Sequence, residues 1–260
     1  MDLLRSVRRK TTISDFLYIF LNIALAITVY LSVLLTGLFQ IGLALLIVSK
    51  WRVFAVRPRF WLDNLKTNLV DFIVSISYLI GVWQAFEAKA PLFYVIFLVV
   101  AYIAWLLFIK PLSSRNAMLL QAGIAAFLGL STLFNISTNW PVEYVILVAL
   151  VIGYSSMRHS LSAYDHQENI ELYSMISALV FAEICWVGYH WSKAYYFLGI
   201  SFIKIPQVAI IILLVAFFIE RLYRSSRSTH NKVKTEDILI PGIFVVLAIF
   251  TMLFLFNDAL

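Results

Sequence analysis

The chain predicts an all-α, polytopic transmembrane helix bundle, and three observations carry that prediction. Hydrophobic residues make up 62% of its 260 residues and charged residues only 13%, about half of what a soluble domain carries. The apolar residues gather in blocks of about 20, the length a spanning helix needs. Of the 20 Lys and Arg, 17 fall in five polar stretches that a single topology puts on one side, the bias that marks cytoplasmic loops.

The elements follow in order. Arg5, Arg8, Arg9 and Lys10 precede an apolar block at 16–49. That block far exceeds a cleavable signal's h-region of roughly 7–15 residues, so it reads as retained. It is too long for one helix and tight for two. Thr36-Gly37 is its natural break, because glycine tolerates turn dihedrals. A second basic cluster follows at Lys50, Arg52, Arg57, Arg59 and Lys66. Both clusters belong inside, so an even number of crossings must separate them. Two crossings, 16–35 and 37–54, are expected. The alternative is a re-entrant hairpin whose turn other helices shield. Seven further spans are expected at 67–86, 92–109, 117–136, 142–157, 172–191, 199–219 and 238–256. The result is nine spans in a single membrane domain, with a cytoplasmic N-terminus and an external C-terminus. The variant has seven spans plus the re-entrant hairpin.

Helix starts read as orthodox. Pro141 and Pro241 open spans, where a missing N–H costs little. Glu143 and Glu171 sit at first turns, where the dipole favours an anion. Ala122/Ala126 and Ala125/Gly129 give small-residue pairs that let helices approach. The single Cys185 excludes an intrachain disulfide. The net charge of +6 points to anionic headgroups beside the spans, not to nucleic acid. A cell membrane of cytoplasmic type is the expected location. No cofactor is expected.

Candidate sites begin with charges inside spans, since an unpaired charge in hydrocarbon costs several kcal/mol. Glu183 lies roughly 12 Å from the outer end of its span and Lys204 roughly 8 Å into the next. The two spans are consecutive, so an ion pair between Glu183 and Lys204 is expected. Pro206 removes a helical bond and opposes the carbonyl of Phe202, so Lys204, Pro206 and Gln207 cluster at an expected kink. Asp71 lies near the inner end of its span, either paired with a nearby cation or facing a vestibule. Arg52, Arg57, Arg59 and Trp61 mix cations with aromatic rings, the pattern of a headgroup-binding interface. The loop RHSLSAYDHQENIE from Arg158 to Glu171 carries His159, Asp165, His166 and Glu168. His159 and His166 are candidate metal ligands, but their spacing is wider than the i, i+4 pairing of zinc helices. His190 and Trp191 read as an interfacial belt.

No GxSxG, P-loop, HExxH, CxxC or dinucleotide fingerprint occurs. The expected function is therefore small-solute or ion transport, or service as a subunit of a membrane complex, through Glu183, Lys204, Gln207 and Asp71. The alternatives are a lipid-active enzyme at cytoplasmic headgroups, using His159, Asp165, His166, Arg57 and Arg59, and a non-catalytic assembly partner. A homo-oligomer fits either scheme.

Overall fold

A computed structural model describes residues 2–164, 169–191, 193–196, 204–228 and 235–254. The described residues are 86% helical, as hydrocarbon requires: each backbone N–H and C=O must be satisfied within its own segment. Among the described residues, six helices are long and apolar enough to cross a membrane. They are Ile13–Thr36, Pro58–Glu87, Leu92–Ile109, Arg115–Ile136, Val142–Leu161 and Ile170–His190. The chain divides into two compact units, Met1–Ala117 and Met118–Leu260.

Unit one holds α1 (Asp2–Thr36), α2 (Phe39–Ser49), α3 (Trp51–Phe54), α4 (Trp61–Glu87) and α5 (Leu92–Ala104). The last runs on into a π-helical turn, Trp105–Ile109. The break between α1 and α2 falls at Gly37, which takes φ +66°, a conformation that costs other residues a Cβ clash. The Gly37 N–H still bonds the Val33 carbonyl at 2.8 Å. From there α2 descends along α4. Phe39 meets Trp83 edge-on at 6.2 Å. Gly42 faces Leu79 so closely that a Cβ would lie 2.5 Å from its Cδ1. Lys50 reaches Asp71. The expected span at 37–54 is therefore a helix of only 11 residues, roughly 16 Å long, followed by an elbow. With its flanking residues Gly37 and Lys50, that helix nevertheless runs along α4 from the level of Phe86 to that of Asp71.

Contacts on α1 and α5 complete an up-down-up-down order. The Tyr18 hydroxyl donates to the Leu106 carbonyl at 2.9 Å. The Tyr78 hydroxyl donates to the Ala26 carbonyl at 2.8 Å. Tyr78 and Tyr102 stack at 4.1 Å between centroids.

Unit two holds most of α6 (Arg115–Ile136), then α7 (Val142–Leu161), α8 (Ile170–His190), β1 (Ala194–Tyr196), β2 (Lys204–Pro206), α9 (Gln207–Ser228) and α10 (Thr235–Phe254). Helices α7 and α8 pack tightly because small residues face each other. A Cβ on Gly153 would lie 2.7 Å from the Phe181 Cβ. The inward stripe of α8 is Ser174, Ala178, Phe181, Ala182, Cys185 and Gly188. Glu143 and Glu171 fall in first turns as expected. Pro241 lies inside α10, because that helix begins at Thr235.

The span expected at 199–219 is corrected at its start. Lys204–Pro206 is a strand paired antiparallel with Ala194–Tyr196, and helix begins only at Gln207. The physical reason is the proline, which biases the residue before it to extended backbone. Pro206 thus precedes a helix and does not kink one.

Candidate functional site

Three charged side chains from three elements meet in unit one. Lys50 caps the C-terminal end of α2. Its ammonium bonds the Asp71 carboxylate and also the Asp71 backbone carbonyl at 3.3 Å. Lys110 follows α5 and donates to the same carboxylate oxygen, Oδ2, at 2.8 Å. The Trp105 indole N–H donates to the other oxygen, Oδ1, at 3.4 Å. Asp71 and Lys50 are only 13% and 7% exposed, while Lys110 is 40% exposed. The site is thus closed on its Lys50 side and open on its Lys110 side.

The π turn explains how Trp105 and Lys110 share one target. Residues five apart in an α-helix lie roughly 140° apart around the axis. Here the Lys110 N–H bonds the Trp105 carbonyl at 2.8 Å, and that wider turn brings both side chains onto one face. Such turns recur at functional sites.

Depth follows from helix length. Helix α4 has 27 residues, roughly 40 Å. Counting about 30 Å of hydrocarbon back from Glu87 reaches Thr67, so Asp71 sits about 6 Å inside that boundary. A polar ladder leads further in. The Ser75 hydroxyl donates to the Asp71 carbonyl at 2.6 Å. The Tyr102 hydroxyl donates to Ser75 Oγ at 3.0 Å. Two ammonium groups thus converge on one carboxylate.

The other expected sites resolve differently. Asp71 is paired with Lys50 and Lys110. Glu183 and Lys204 are not brought together. Glu183 lies exposed on α8, with no hydrogen bond or ion pair among the described residues. Lys204 belongs to β2, and its carbonyl accepts from Asn135 Nδ2 at 3.0 Å. The expected pair fails because a strand, not a helix, carries Lys204. Gln207 is 2% exposed and locks the start of α9. Its Nε2 donates to the Tyr195 hydroxyl at 2.9 Å and to the Met252 carbonyl at 2.8 Å. Burial pushes the Tyr195 phenol above its usual range, against the opposing effect of the Gln207 bond. Gln207 is a structural anchor here.

Arg52, Arg57 and Arg59 are exposed on the elbow between α2 and α4. Arg59 covers the Phe60 ring at 4.6 Å. Trp61 closes the elbow, donating to the Phe54 and Val56 carbonyls at 3.0 Å each. Its indole N–H is thereby taken by the fold, not offered to a headgroup. His159 is hydrogen-bonded to Gln121 Oε1 at 2.7 Å. Asp165, His166 and Glu168 lie outside the described residues. Among the described residues, no group of three or more His, Cys, Asp and Glu could hold a metal ion.

Lys50, Trp105 and Lys110 were not among the expected site residues. Both lysines carried a signal, since each borders an apolar run at the end where Asp71 lies. Nothing in the sequence marks the π turn that gathers Trp105 with Lys110. At the other end of unit one, an apolar cavity of about 310 Å³ is lined by Tyr30, Leu34, Val82, Phe86 and Val95, with Lys89 beside them. It shares no residue with the charged cluster. Compared with known proteins, the chain matches no family model, no curated protein and no solved structure.

Proposed function

We propose that this is a multi-pass cell-membrane protein that carries a small anion, with Lys50, Asp71 and Lys110 as its recognition site. The observation that carries this reading is the convergence of two ammonium groups on one buried carboxylate. A cation would be repelled by the two ammonium groups. An anion would be attracted to them, and Lys110 is the more exposed of the two. Intramembrane ionisable residues that face a bundle interior are functional candidates by default. The cluster and the apolar cavity lie at opposite ends of unit one, so carriage requires a second conformation that joins them.

The proposed topology has nine spans, with the N-terminus inside and the C-terminus outside. The register of α2 along α4 favours two crossings before Lys50 over a re-entrant hairpin. The turn at Gly37 lies level with Phe86 at the end of α4, not at mid-depth. The elbow's exposed Arg52, Arg57 and Arg59 would rest on anionic headgroups of the inner leaflet, where each basic residue contributes about 1 kcal/mol.

Flux into proteoliposomes tests the function. Purified protein should speed entry of at least one of chloride, acetate and inorganic phosphate over empty vesicles. Lys110→Gln should slow that entry about tenfold or more. Flux equal to empty vesicles for all three, or unchanged in Lys110→Gln, overturns the proposal.

A further inference from the structure

The cavity at the far end of unit one from Asp71 is a slot between helices with a cation on its lining. Three helices wall it: α1 gives Tyr30 and Val33, α4 gives Val82 and Ala85, and α5 gives Val95. Val33, Val82, Ala85 and Val95 are each 9% exposed or less, so the inner walls belong to the core of the unit. The volume is about 310 Å³. A cavity of about 150 Å³ holds one benzene, so by proportion this one takes about twelve carbon atoms. That is room for one acyl chain of medium length, and too little for the two chains of a phospholipid.

Lys89 lines the same cavity. It is exposed, and its ammonium has no hydrogen-bond or ion-pair partner among the described residues. Its backbone takes φ +50°. The Lys89 N–H bonds the Phe86 carbonyl at 3.1 Å, and the Ala90 N–H bonds the Ala85 carbonyl at 2.8 Å. These are the two bonds of a Schellman cap, whose left-handed position glycine usually fills. A lysine there strains the backbone where glycine would not. The cap holds its Cα beside Ala85 and Ala90, which both line the cavity. The helix-length count that put Thr67 at one edge of the hydrocarbon puts Glu87 at the other, so Lys89 stands at headgroup level. Glu87 itself is exposed and is not among the lining residues. The other polar side chain on the lining is Tyr30, whose hydroxyl also has no hydrogen-bond partner among the described residues.

An apolar slot with an ammonium at headgroup level matches one chain ending in an anionic head. The chain gains little by leaving lipid, which is as apolar as the walls. The head therefore decides the affinity, through a charge-assisted bond. We propose that this cavity binds a fatty acid anion, with its chain between α1, α4 and α5 and its carboxylate on Lys89. This goes beyond anion carriage and does not depend on it, because the cavity shares no residue with Lys50, Asp71 and Lys110.

The test uses the full chain in phosphatidylcholine nanodiscs, with radiolabelled dodecanoate as the probe and empty nanodiscs as the blank. The wild type should bind dodecanoate saturably. Lys89→Gly removes the ammonium while relieving the backbone, so a loss of binding there is not a loss of fold. It should raise the dissociation constant about tenfold or more, the worth of a hydrogen bond to a charged group. Lys89→Arg should stay within about threefold of wild type, since a guanidinium also pairs with a carboxylate. Ala90→Phe adds a ring to the lining and should weaken binding about tenfold, by overfilling the slot. Dodecyltrimethylammonium, with the same chain and the opposite charge, should not displace the probe. No saturable binding, a Lys89→Gly constant equal to wild type, or displacement by dodecyltrimethylammonium overturns the proposal. So does displacement by an equal amount of phosphatidylglycerol, which would make a phospholipid the occupant. None of these outcomes bears on flux through Lys50, Asp71 and Lys110.

Discussion

Asp71 and Glu183 are both carboxylates at membrane depth, and the fold treats them in opposite ways. Asp71 is enclosed by Lys50, Lys110 and the Trp105 indole, with its backbone carbonyl also capped by Ser75. Glu183 stands exposed on α8, without a partner among the described residues. The difference teaches that depth alone does not define a site. A carboxylate in hydrocarbon needs donors, and where they come from decides its role. Donors from within the unit make an electrostatic cluster.

Removing the acid at each place breaks the comparison most sharply. Asp71→Leu would remove the carboxylate that two ammonium groups share, and one of them, Lys50, is almost fully buried. Loss of one partner of a buried ion pair costs about 3–5 kcal/mol. Reversible unfolding in mixed micelles should show a loss of that size; a loss under about 1 kcal/mol would mean water already solvates the lysines.

The two lysines give a finer gradation. Lys50→Met should cost about 2 kcal/mol, the value of a hydrogen bond to a charged group where burial is deep. Lys110→Met should cost under about 1 kcal/mol, because its pair is partly screened by solvent. The same unfolding assay reads both, and equal losses would show that exposure does not separate the two contacts.

The smallest effect belongs to Glu183. Glu183→Leu should change stability by no more than about 0.5 kcal/mol, as at an uncontacted surface position. A loss above 1 kcal/mol, read in the same micelles, would reveal an internal partner for Glu183 and so erase the contrast with Asp71.

Much of the fold was legible in the residues. The seven expected spans after Lys66 each coincide with a helix in whole or in part, and the break at Thr36-Gly37 falls where glycine's dihedrals allow it. The hairpin before Gln207 was not legible, because hydropathy cannot tell an apolar strand from an apolar helix over three residues. The site was half legible. Asp71 was visible as a charge within a span, but its partners stand 21 and 39 residues away in sequence.

The sequence by itself determined that this is a helical membrane protein and roughly where its helices run. Lipid leaves each segment no partner for its backbone but itself, so apolar length translates directly into helix. Only the tertiary structure decided which carboxylate meets which cation. That choice rests on the register of α2 against α4, on one π turn at the end of α5, and on a strand that draws Lys204 away from Glu183. Each depends on how helices pack side by side, and the composition of a single segment does not encode it.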